Sequence, residues 1–237
     1  MPTPALWLTS VIIICLLMMG MLFSLSRSGI PGVATTACGA AVTCVAVALT
    51  AAPPLLAGGL PVPVRLLGGV LLGVDMALYF VAVRQFFGLG VPKAALAVLL
   101  LLYALALAAF WYVSTDFSMR TAIVSTMRGL MAGLIAVTVL RHRPAGQAAY
   151  PYVFTVAMAG ALALMHAWRA VVYFLRLDGI GALWQSSTVN TIYLSIGLVT
   201  LPGIMLGMIL MIHDRMLEQR VSKAVADSRG RQDPRRP

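Results

Sequence analysis

Apolar residues gather in seven runs of about 20 residues, at 5–26, 33–52, 64–87, 94–113, 119–140, 149–174 and 187–212. A helix rises 1.5 Å per residue, so each run is long enough to cross about 30 Å of hydrocarbon. The breaks between them are chemically sharp. Ser-Gly-Ile-Pro-Gly follows Arg27, Pro53 and Pro54 close the second run, and Arg-His-Arg-Pro-Ala-Gly occupies 141–146. Proline and glycine end helices because one lacks the backbone donor and the other favours turns. The second run is rich in Ala and Thr and is the weakest; without it the count falls to six. The pattern predicts an all-α membrane protein: a seven-transmembrane-helix bundle over 1–213, followed by a short cytoplasmic stalk helix and basic tail over 214–237.

Composition narrows the class further. The chain of 237 residues is 61% hydrophobic and 10% charged, against about 25% charged in soluble domains. No core of this size hides that much apolar surface, so a lipid-facing exterior is implied. Met1 to Ser26 holds no Lys or Arg, so the first run lacks the basic start of a signal peptide and is expected to stay as a helix. Cys15, Cys38 and Cys44 all lie in apolar runs and read as small buried hydrophobes.

The net charge of +10 is mainly an orientation signal. With the N-terminus outside and the C-terminus inside, Arg27, Arg84, Lys93, Arg141, Arg143 and the seven basic residues after His213 fall inside, 12 of 17. Trp7, Trp111, Tyr112 and Trp184 then sit at the outer interface, and Phe86, Phe87, Tyr150 and Tyr152 at the inner one. The expected location is a bacterial cytoplasmic (inner) membrane, with the lipid bilayer as partner and no nucleic acid.

A few polar residues defy the apolar pattern. Charges inside a span are costly and mark candidate sites; here they are Asp75, Arg128 and Arg169, with His166 one turn before the last. Helical spacing extends each into a stripe: Asp75 with Tyr79, Arg128 with Ser125 and Thr121, Arg169 with His166 and Tyr173. The seventh run adds Ser187, Asn190 and Tyr193. Asp75 neutralises only one arginine, and the surplus guanidinium suits a small anionic or carbonyl-bearing ligand. Three readings stay open: buried pairs that fix helix register, a ligand pocket open to the outside around Asp75, Arg128, His166, Arg169 and Asn190, or a path for ions or protons.

Several chemistries are disfavoured. Lys93 and Lys223 lie outside the spans, so no intramembrane Schiff base to retinal forms. His142 and His213 sit at the inner boundary, leaving His166 without a second intramembrane histidine to share a haem. No Gly-rich phosphate loop, HExxH, GxSxG or Cys-x-x-Cys occurs. Neither an enzyme nor a cofactor is expected.

Glycines four apart, Gly69/Gly73, Gly129/Gly133 and Gly203/Gly207, mark close-packing faces, within the bundle or between two copies of the chain. Pro202 lies inside the seventh run and is a candidate hinge. Beyond it, Leu217, Val221 and Ala224 follow the four-then-three spacing of a short coiled-coil seam.

The last span and stalk, LPGIMLGMILMIHDRMLEQRVSKAVAD, with the earlier stretch HAWRAVVYFLRLDG, resemble the N-terminal multi-helix modules of bacterial GGDEF diguanylate cyclases and membrane histidine kinases. The resemblance implies a sensor or input module whose last helix drives an output domain. No catalytic domain follows Asp227 in this chain, so cyclase or kinase activity is not carried over. The expectation is an input module that signals to a separate cytoplasmic partner or as a homodimer. The alternatives are a small transporter or channel subunit, and a truncated remnant of a membrane-bound signalling enzyme.

Overall fold

The computed structural model describes residues 4–51, 60–144, 148–178 and 188–232. Within them the chain is helical, without strands: α1 (Pro4–Leu25), α2 (Val33–Ala51), α3 (Val62–Phe86), α4 (Lys93–Tyr112), α5 (Phe117–His142), α6 (Ala149–Phe174) and α7 (Thr188–Gln232). Six helices are long and apolar enough to cross a membrane, and a shorter apolar stretch of 17 residues, Ile12–Ser28, lies in the first helical region. The Ala- and Thr-rich run is among the six, as Val33–Thr50. The fold is that of a multi-pass membrane protein with seven helices.

Local chemistry sets the ends. Pro61 and Pro92 precede α3 and α4, where a missing amide donor costs nothing. Asp116 caps α5 by accepting from the Met119 amide at 3.2 Å. α7 is one helix of 45 residues that passes through Pro202 without ending. From Leu217 to Ser228 its residues are exposed, so the stalk leaves the bundle as a continuation of the last span.

Packing follows chain order with one exception. α1, α2, α3, α5, α6 and α7 contact one another in sequence, and α7 returns to α1, closing a ring. α4 lies outside it, against α3 and α5, and only 17% of its span is buried. Val98, Leu101, Leu102 and Leu105 project from α4 into what would be lipid.

The paired glycines are spent on crossings within the chain. A Cβ on Gly73 would meet the Tyr103 ring of α4 at 2.5 Å, and the Tyr103 hydroxyl donates to Gly69 O. A Cβ on Gly129 would lie 3.2 Å from His166 Cβ, and Gly203 and Gly207 press on Met158 and Thr155 of α6. Small residues let backbones approach where lipid gives no hydrophobic drive to associate. The Gly129 contact sets α5 against α6 at the level of the charged residues.

Candidate functional site

Asp75 of α3 and Arg128 of α5 form an ion pair at 3.0 Å with 0% and 5% side-chain exposure. One terminal nitrogen, Arg128 Nη1, faces both carboxylate oxygens at 3.0 Å and donates to Leu72 O at 2.8 Å. The carboxylate also accepts from Thr43 Oγ1 of α2 at 3.0 Å and from the Met76 amide at 2.6 Å. Thr43 Oγ1 lies 3.2 Å from the Tyr79 hydroxyl. Thr43 has a single proton, so with that proton on the carboxylate Tyr79 is the donor. A buried charge is tolerated when paired and hydrogen-bonded, and Asp75 is both.

Arg128 reaches a third helix through its other edge. Its Nε lies 3.3 Å from His166 Nε2. A guanidinium only donates, so Nε2 accepts, and the ring is neutral with its proton on Nδ1. His166 packs edge-on against Tyr193 of α7, centroids 5.5 Å apart.

One turn further along α6, Arg169 is held by other means. Its guanidinium carbon lies 3.7 Å from the centroid of the Tyr193 ring and 5.3 Å from that of Tyr173. Nη2 donates to Asn190 Oδ1 at 3.3 Å. Arg169 is 3% exposed and, among the described residues, has no ion pair. Cation–π contact and one amide oxygen take the place of a counter-ion.

Three polar atoms in this region are buried without a hydrogen-bond partner among the described residues: Ser125 Oγ, His166 Nδ1 and Arg169 Nε. The last two are N–H donors on one helix, three residues apart. Orphaned buried donors are uncommon because each forfeits its hydration. What satisfies them is an acceptor: a carboxylate, phosphate or carbonyl oxygen, or a water.

The structure therefore joins Asp75, Arg128 and His166 directly, and links Arg169 and Asn190 to them through Tyr193. It also decides the pairing, since Asp75 takes Arg128 and leaves Arg169 as the surplus cation. Pro202 is buried within continuous α7, while Leu217 and Val221 are exposed on the stalk. Ser187, Trp184 and the side chain of Trp7 lie outside the described residues. Thr43 was not anticipated; the available signal was the spacing of Thr36, Thr43 and Thr50, seven apart on one face of the weakest run.

Away from the site, Arg176 pairs with Asp116 at 2.8 Å across the ends of α6 and α5. At the opposite end Arg215 Nη1, at the base of the stalk, donates to Phe86 O at 2.7 Å.

No family model, curated protein or solved structure matches the chain.

Proposed function

We propose that the protein is a sensor or input module of a bacterial inner membrane, with its N-terminus outside and its stalk in the cytoplasm. In this reading a small anionic or carbonyl-bearing ligand docks on His166 Nδ1 and Arg169 Nε. The observation that carries the reading is those two buried N–H groups, which find no acceptor among the described residues, the second of them on a guanidinium that has no ion pair there. Asp75 and Arg128 act as the frame: their charges cancel, and Arg128 fixes the tautomer of His166.

Transmission follows from which helix holds Arg169. Asn190 and Tyr193 belong to α7, so an acceptor that draws the guanidinium away changes what α7 rests on. α7 then runs unbroken to the exposed stalk, past Pro202, where the Leu198 carbonyl loses its helical donor. Arg215 latches the stalk base to the end of α3, the helix that carries Asp75. A ligand shifts such an equilibrium only by binding its two states differently.

The test is thermal unfolding of the full chain in detergent against a panel of small mono- and dicarboxylates. At least one should raise the unfolding temperature, since a ligand at 100 times its Kd stabilises by about 2.7 kcal/mol. Arg169→Gln and His166→Gln should abolish that shift and Arg143→Gln should not. A panel without effect on the wild type, or a shift that survives both variants, removes the basis of the reading. Uptake of the same carboxylate by proteoliposomes would replace it with a transporter.

A further inference from the structure

Where α4 leans on the ring from outside, its seam with α5 does not close. A cavity of about 390 Å³ lies there, lined by Leu99, Tyr103 and Phe110 of α4 and Ile123, Met127 and Leu130 of α5. Its walls are almost wholly apolar, and it lies beside α4, the least buried of the six helices long enough to cross a membrane.

Charge is concentrated at one end of this groove. Trp111 follows Phe110, and two arginines stack on its ring: Arg120 of α5 with its guanidinium carbon 3.8 Å from the centroid, and Arg65 of α3 at 4.8 Å. Both arginines lie in the first turn of their helices, and Trp111 in the last turn of α4, so all three stand at one level. Among the described residues neither arginine forms an ion pair, and Arg65 Nε is buried without a hydrogen-bond partner. Asp116, which caps α5, is already engaged by Arg176 and by the Met119 amide.

We propose that this seam binds an anionic phospholipid, with its phosphate on Arg65 and Arg120 and one acyl chain in the groove between α4 and α5. Guanidinium offers a planar fork of donors that matches phosphate oxygens. Tryptophan belongs at the depth where headgroup meets chain, and basic pockets between membrane helices are suited to acidic headgroups. Two cations without an ion pair among the described residues favour a lipid with net negative charge over a zwitterionic one. The apolar groove adds what a free phosphate lacks, a place for the chain. The lipid would brace α4 against α3 and α5, the two helices that carry the Asp75–Arg128 pair.

Native mass spectrometry of the full chain in detergent tests this, titrating phosphatidylglycerol against phosphatidylcholine of equal chain length. The wild type should retain phosphatidylglycerol preferentially. Arg65→Gln with Arg120→Gln should weaken that retention by roughly tenfold or more, whereas Arg141→Gln with Arg143→Gln, at the other end of the bundle, should leave it unchanged. Thr126→Phe, which fills the groove from an exposed position of α5, should weaken it with both arginines intact. If the double variant does not fold, Arg120→Gln alone should give the same change at smaller size. Equal retention of the two lipids by the wild type, undiminished retention by the arginine variants or by Thr126→Phe, or competition by free glycerol phosphate as effective as by whole lipid, would overturn the proposal.

Discussion

Asp75 is fully buried, and among the described residues its charge is sustained there by Arg128, Thr43 and the Met76 amide. Removing one member of such a pair strands the other, at a cost of about 3–5 kcal/mol, whereas replacing both with apolar groups of similar volume is often neutral. Asp75→Leu and Arg128→Met should therefore each lower the unfolding temperature in detergent. The double variant Asp75→Leu/Arg128→Met should lie well above the sum of the two losses. Additive losses in that double-mutant cycle would show that the pair is not coupled. The members of this cluster were legible in the sequence because a charge in an apolar run is costly and marks a candidate site. The pairing was not legible, since periodicity places both arginines near Asp75 without choosing between them. Thr43 escaped for a different reason: a helical threonine ordinarily satisfies itself on the carbonyl four residues back and leaves no anomaly to notice; here Gly39 O, at 3.0 Å, is the alternative acceptor to the carboxylate for its one proton.

Among the elements, the glycines separate packing from propensity. A methyl group at Gly73 would run into the Tyr103 ring, while one at Gly160, on α6, would meet nothing within 4 Å. Gly73→Ala should thus destabilise the α3–α4 contact. Gly160→Ala should be neutral or stabilising by up to about 1 kcal/mol, the helix propensity of alanine over glycine. Unfolding temperatures of the two variants in the same detergent check this, and equal shifts would contradict the close crossing. Helix ends were legible to within two residues for α3, α4 and α5 because Pro, Gly and charge interrupt the apolar runs there. α7 was legible as a span that continues into a stalk, since nothing between Ile212 and Ala226 breaks a helix. The place of α4 outside the ring was not legible, because a lipid-facing helix and a buried one are equally apolar when lipid is the solvent.

At the scale of the whole molecule, orientation decides whether the stalk can serve as an output. Helices alternate in direction, so the turn at Gly90, the 141–144 segment and the exit of α7 lie at one end of the bundle. The Arg215 contact with Phe86 O ties the stalk base to that end independently of how α1 is placed. Arg84, whose Nε donates to Gly90 O at 2.7 Å, belongs to the same end, as do Lys93, Arg141 and Arg143. The Ser114 turn lies at the other end, beside Asp116 and Trp111. Positive charge is retained on the cytoplasmic side, so a cysteine at Ser114 should react with a membrane-impermeant maleimide in intact cells. A cysteine at Gly90, where a side chain meets nothing within 4 Å, should react only after lysis. Both are to be read in a background lacking Cys15, Cys38 and Cys44. The opposite labelling would put the basic stalk outside the cell and leave Leu217 and Val221 without a cytoplasmic partner to engage. The sensor reading would then fail even if the carboxylate site on Arg169 were real, because ligand and output would be separated from the compartments the mechanism requires.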